Sequence, residues 1–119
     1  MYNSTTEYIL RLVALAAVVD GEASDQEKNF IIEEASYHLK TSKDEIKAML
    51  DQWIHIYQQA DVANNPGPAL HFALDPISYL TGSDKHLAFY LCHQVIFMDG
   101  QMKESEDKLF FELEKIVFS

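Results

Sequence analysis

Two stretches near opposite ends of the chain repeat the same acidic pattern. Val18–Glu27 reads "VVDGEASDQE" and Phe97–Glu106 reads "FMDGQMKESE". In both, an apolar run ends in Asp-Gly, and a Glu follows seven residues after the Asp. The carboxylates that occupy matching places are Asp20, Asp25 and Glu27 in the first stretch, and Asp99, Glu104 and Glu106 in the second.

Carboxylate clusters of this kind bind hard cations, because calcium and magnesium prefer several oxygen ligands. If the two turns lie side by side, their carboxylates form one site for a divalent cation, Ca²⁺ or Mg²⁺. The pattern is not that of an EF-hand loop, which has Gly at its sixth position and Glu at its twelfth. Counted from Asp20, Gly21 is second and Ile31 is twelfth.

The same residues also fit helix ends that need no ion. Gly closes many helices because it tolerates a left-handed backbone. Ser24 and Glu27 have the spacing of a capping box, and acids in a first turn complement the helix dipole. A helix end requires only the Gly, however. Capping therefore does not explain why Asp20 recurs as Asp99, and a cation site stays an alternative interpretation.

Other chemistries find little support in the sequence. The five histidines include no HExxH motif and no pair at the three- or four-residue spacing that favours zinc on a helix. His86 and His93, with Cys92 beside the latter, remain a minor zinc alternative. No nucleophile elbow, phosphate loop or dinucleotide fingerprint occurs. We therefore predict no catalytic residues, and we expect Trp53 and Tyr57 to be core aromatic residues.

Composition predicts one soluble globular domain spanning residues 1–119. The net charge is -10, from 9 basic and 19 acidic side chains. Such a field repels phosphate backbones and anionic lipids, so we expect no nucleic acid and a protein partner with a basic surface. No apolar run is long enough to cross a bilayer, and the first residues lack the basic start of a signal peptide, so a cytoplasmic location is expected.

The elements that position these residues are predicted to be helices, because apolar residues recur at three- and four-residue steps throughout. The first helix ends at Asp20-Gly21, the second begins at Ser24, and the third begins at Ser42 and is the most amphipathic. After a break at residues 61–68, Pro68 and Asp75-Pro76 are each predicted to begin a short helix. Residues 85–98 are predicted to form a helix buried on most faces, and residues 104–117 a last one. The fold class is an all-α bundle of about six or seven helices.

The repeated turns predict two helix–turn–helix units related by an approximate twofold axis, with further helices inserted between them. The last helix is rich in aromatic residues. Phe110, Phe111 and Phe118 make homodimerisation through this segment a further possibility.

The paired pattern of apolar helix, Asp-Gly and following Glu resembles the TerB family, over about residues 7–117. Where that family has a small residue before the Asp, this chain has Val19 and Met98. The second turn also carries Gln101 and Lys103 in place of Glu22 and Ser24. The resemblance implies a non-enzymatic helical domain linked to tellurite resistance, to stress-response scaffolds and to DnaJ-like co-chaperones, with suspected divalent-cation binding.

Overall fold

Helices alone make up the regular structure of the described residues. The computed structural model describes residues 4–18, 24–61, 66–96 and 115, and these contain five helices and no strand. The helices are α1 Ser4–Val18, α2 Asp25–Leu39, α3 Lys43–Gln59, α4 Pro66–Ile77 and α5 Gly82–Ile96. The prediction of an all-α fold is confirmed. The predicted last helix lies outside the described residues except for Lys115, which is helical and exposed.

α4 differs from the sequence prediction of two short helices. It begins at Pro66 and continues through Asp75 and Pro76 to Ile77, so Asp75-Pro76 does not begin a new helix. Proline lacks a backbone N–H and disfavours a helical residue before it. Pro76 stands one residue before the end of α4, so only Ile77 continues the helix beyond it.

Serine caps begin α2 and α3. The Ser24 hydroxyl accepts a hydrogen bond from the Glu27 amide at 3.1 Å, and the Ser42 hydroxyl accepts one from the Glu45 amide at 3.2 Å. Lys40 ends α2 in the left-handed conformation, with φ 52°. The two helices are therefore joined by a short connection of only a few residues.

α1 is the central helix of the fold. It packs against α2, α3, α4 and α5, and its residues from Leu12 to Val18 are buried without interruption. Ala14, Ala16 and Ala17 keep this part of the helix narrow, which lets the neighbouring helices approach closely. The radius of gyration of 12.8 Å is that of a compact chain of this length, roughly 13–14 Å being expected.

α3 and α5, which both pack against α1, differ in which of their faces are buried. α3 buries one stripe, as predicted, comprising Ile46, Met49, Leu50, Ile54 and Tyr57. α5 was predicted to be buried on most faces, but His86, Tyr90 and Gln94 are exposed and, four residues apart, form a stripe along one side. None of the described helices has the length and apolar character needed to cross a membrane.

Candidate functional site

Two of the six predicted cation ligands lie within the described residues. Asp25 and Glu27 stand in the first turn of α2, with Asp25 exposed. The other four, Asp20, Asp99, Glu104 and Glu106, lie outside the described residues. Whether the two acidic turns meet therefore stays a prediction.

Glu27 takes part in the helix cap. Its Oε1 accepts hydrogen bonds from the Ser24 hydroxyl at 3.1 Å and, more weakly, from the Ser24 amide at 3.5 Å. The reciprocal bond from the Glu27 amide to Ser24 completes a capping box. Among the described residues, no group of three His, Cys, Asp or Glu side chains is placed to hold a metal ion. The visible geometry of this turn is that of a helix start.

Substitutions in this cap separate the capping hydrogen bonds of Glu27 from the effect of its negative charge. Ser24→Ala removes the acceptor for the Glu27 amide, and we expect it to lower the free energy of unfolding by about 1 kcal/mol. Glu27→Gln keeps a side chain that can cap but removes the carboxylate, so we expect a change within about 0.5 kcal/mol. Urea denaturation of both variants measures this. A loss for Glu27→Gln as large as that for Ser24→Ala would show that the charge, rather than the cap, matters.

Aromatic side chains are exposed where α2 and α5 pack together. Tyr37 is 76% exposed and Tyr90 is 46% exposed. The His38 ring makes a T-shaped contact with each of them, with centroids 5.1 Å from Tyr37 and 5.9 Å from Tyr90. We call these three residues the tyrosine patch.

Charged side chains of both signs surround the tyrosine patch. A Glu34 carboxylate oxygen lies 3.5 Å from Nε2 of His38, one helical turn away. Glu33 lies 3.4 Å from the Lys43 ammonium, and both side chains are exposed. Lys40 ends α2 beside the patch. The patch is therefore an aromatic surface within a rim of acidic and basic side chains.

A second cluster of polar and aromatic side chains joins α1, α3 and α4. Arg11 of α1 donates a hydrogen bond from Nη2 to Oδ2 of Asp75 at 2.9 Å. The Arg11 guanidinium lies over the Trp53 ring, with Cζ 4.4 Å from the centroid, and 5.9 Å from the Tyr8 centroid. Tyr8 in turn stacks on Tyr79 at 4.8 Å. These contacts place a guanidinium between two aromatic rings.

Three polar atoms of this cluster are fully shielded from water. They are Nε of Arg11, Nε1 of Trp53 and the hydroxyl of Tyr57, and none makes a hydrogen bond of good geometry within the described part of the chain. Burial raises the pKa of Tyr57 to about 12, although the adjacent Arg11 guanidinium acts in the opposite direction. We call Arg11, Trp53, Tyr57 and Asp75 the arginine cluster.

The lone cysteine shows no sign of reactivity. Cys92 is buried in α5, and burial raises the pKa of its thiol. A protonated thiol without access to solvent is a poor nucleophile and a poor metal ligand.

Neither the tyrosine patch nor the arginine cluster was identified from the sequence. Trp53 and Tyr57 were expected only as core residues, and Tyr57 is indeed fully buried. The sequence contained one indication of the arginine cluster. Arg11 is the single basic residue of α1, a helix that is otherwise almost wholly apolar beyond its first turn. A charge at such a position requires a partner, but spacing did not indicate Asp75, which lies far along the chain.

Comparisons of this chain with protein-family models, with curated proteins and with solved structures find no match. The resemblance to the TerB family therefore depends on the repeated pattern of apolar helix, Asp-Gly and following Glu in a chain of this size and predicted helical class.

Proposed function

We propose that this chain is a non-enzymatic TerB-like binding or scaffold domain that binds a basic protein partner without a metal. The observation that carries the proposal is the tyrosine patch on two adjacent helices. Tyrosine is enriched at the centres of protein interfaces, because its ring provides contact area and its hydroxyl remains able to hydrogen-bond. The TerB likeness connects such a role with stress response or tellurite resistance.

Charge supports a basic partner. The net charge of -10 attracts basic surfaces over long range and raises their rate of association. Close to the patch the charges are balanced, since Lys43 lies beside Glu33. We therefore assign steering to the whole acidic surface and close contact to the rings, on which an arginine side chain of the partner can stack.

The test compares exposed tyrosines inside and outside the patch. A short arginine-rich peptide is titrated into the ¹⁵N-labelled protein, with and without EDTA. We expect the double variant Tyr37→Ala/Tyr90→Ala to weaken binding about tenfold, and the chelator to have no effect. Tyr79→Ala, which removes an exposed ring from another surface, is the matched control. Equal affinity of the double variant and the unmodified chain would contradict the assignment to the patch.

A divalent-cation site is the second candidate, favoured by the repeat of Asp20 as Asp99. In this proposal Asp20, Asp25, Glu27, Asp99, Glu104 and Glu106 provide oxygen ligands for Ca²⁺ or Mg²⁺. The ion stiffens the fold or adjusts the docking surface.

Calorimetric titration with Ca²⁺, Mg²⁺ and Mn²⁺ tests the cation site. We expect saturable heat and a stabilisation of about 2.7 kcal/mol at an ion concentration 100-fold above Kd. Asp20→Asn/Asp99→Asn abolishes both effects, whereas Asp51→Asn, an exposed acid on α3, leaves them unchanged. No heat and no change in Tm up to millimolar ion would reject this candidate. Loss of peptide binding on addition of EDTA would favour it over the metal-independent role.

A further inference from the structure

We propose that the arginine cluster is a binding site for a small organic carboxylate, and that the Asp75 carboxylate occupies this site in the ligand-free chain. The inference is independent of the protein-binding surface, because the tyrosine patch is formed by α2 and α5, whereas the arginine cluster is formed by α1, α3 and α4.

The buried polar atoms indicate what kind of ligand the cluster accepts. Nε of Arg11 and Nε1 of Trp53 can only donate hydrogen bonds, and the Tyr57 hydroxyl can donate as well. All three are shielded from water without a hydrogen bond of good geometry in the described residues. A buried donor without an acceptor destabilises a fold, because it loses its hydrogen bond to water and gains none in return. The Tyr57 hydroxyl can also accept, and Arg11 is close enough to donate to it. The two N–H groups, which can only donate, match a ligand that carries acceptors.

The Arg11–Asp75 pair shows which kind of acceptor fits. Asp75 reaches the guanidinium through a single 2.9 Å contact at Nη2, whereas arginine and carboxylate commonly pair through two parallel bonds. The side chain of Asp75 is 49% exposed and that of Arg11 is 15% exposed. Asp75 can therefore turn out into water while Arg11 stays in place, and an incoming carboxylate can take its position.

Aromatic rings around the guanidinium favour a ligand with a flat apolar body. Trp53 and Tyr8 lie on Arg11, and Phe72 packs on Tyr57 with centroids 5.5 Å apart. Tyr79, 61% exposed, covers Tyr8 from the solvent side. The overall negative charge does not prevent binding, because the incoming carboxylate pairs with the Arg11 guanidinium that Asp75 vacates, and salt screens more distant charges beyond about 8 Å.

The only tryptophan of the chain provides a direct probe. The indole ¹H–¹⁵N resonance of Trp53 is followed during titration with sodium benzoate, sodium acetate and sodium chloride at constant ionic strength. We expect a saturable shift with benzoate, a weaker one with acetate and none with chloride. A short peptide with a free C-terminus, compared with its amidated form, shows whether the carboxylate of a peptide chain end also binds.

Variants of the ion pair decide the proposal. Asp75→Asn removes the internal competitor from a half-exposed position, and we expect benzoate to bind about tenfold more tightly. Arg11→Gln abolishes binding, and Asp51→Asn, which neutralises an exposed acid outside the cluster, leaves it unchanged. If the indole resonance fails to respond to tens of millimolar benzoate in both the unmodified chain and folded Asp75→Asn, the cluster is only a structural element and the proposal is wrong. The Asp75 variant decides this even if Arg11→Gln does not fold.

Discussion

Replacing Leu10 by alanine lowers the free energy of unfolding by about 2–5 kcal/mol. Leu10 is fully buried in α1, the helix that packs against all four other described helices. Truncation removes apolar surface from the core and leaves a cavity, and the surrounding helices cannot close it without losing their own contacts with α1. Since native domains are stable by only about 5–15 kcal/mol, this one change removes a large share of the total.

Urea denaturation of Leu10→Ala measures this loss, with Gln52→Ala as the control. Gln52 is exposed on α3, and alanine is a good helix former, so its replacement is expected to change stability by less than about 0.5 kcal/mol. A loss below 1 kcal/mol for Leu10→Ala would show that α1 is not the centre of the packing.

Stability falls at alkaline pH because of Tyr57. The folded-state pKa is raised from 10.0 to about 12, so the unfolded chain releases this proton at lower pH than the folded chain. The stabilising contribution is complete below pH 10 and is lost as the pH rises through 12. From this group alone we expect the free energy of unfolding to be about 1 kcal/mol lower at pH 11 than at pH 8.

The contribution of Tyr57 is obtained by comparing variants with the unmodified chain, because other tyrosines and lysines also titrate in this pH range. Tyr57→Phe has no hydroxyl to ionise, so its free energy of unfolding is expected to decrease less between pH 8 and pH 11. Tyr37→Phe, which changes an exposed ring, retains the full decrease. Identical pH profiles for Tyr57→Phe and the unmodified chain would contradict the role of burial at this hydroxyl.

The two proposed binding regions differ in how they use aromatic residues. In the tyrosine patch, rings stand exposed around His38 and offer contact area to a large partner. At the arginine cluster, Trp53 and the neighbouring Tyr8 lie against a guanidinium whose side chain is only 15% exposed. Electrostatic interactions are stronger in such a shielded setting, so the cluster suits a small charged ligand better than a protein surface.

The sequence by itself determined the helical fold class and much of the local structure. Helical periodicity predicted α1, α2, α3 and α5, since these patterns depend on residues a few positions apart. The capping boxes located the starts of α2 and α3, because a serine and the amide three residues later interact within one turn. The sequence prediction was wrong at Asp75-Pro76, which was expected to begin a new helix. α4 instead continues through these residues and packs against α1.

Only the tertiary structure decided which side chains meet. Arg11 and Asp75 are brought together by the packing of α1 on α4, and Tyr37 and Tyr90 by the packing of α2 on α5. No periodicity encodes such pairs, because the contacts join helices far apart in sequence and depend on how each helix is turned towards its neighbours. For the same reason the sequence could propose that the turns at Asp20 and Asp99 share an ion, but their spacing along the chain does not fix their distance in space.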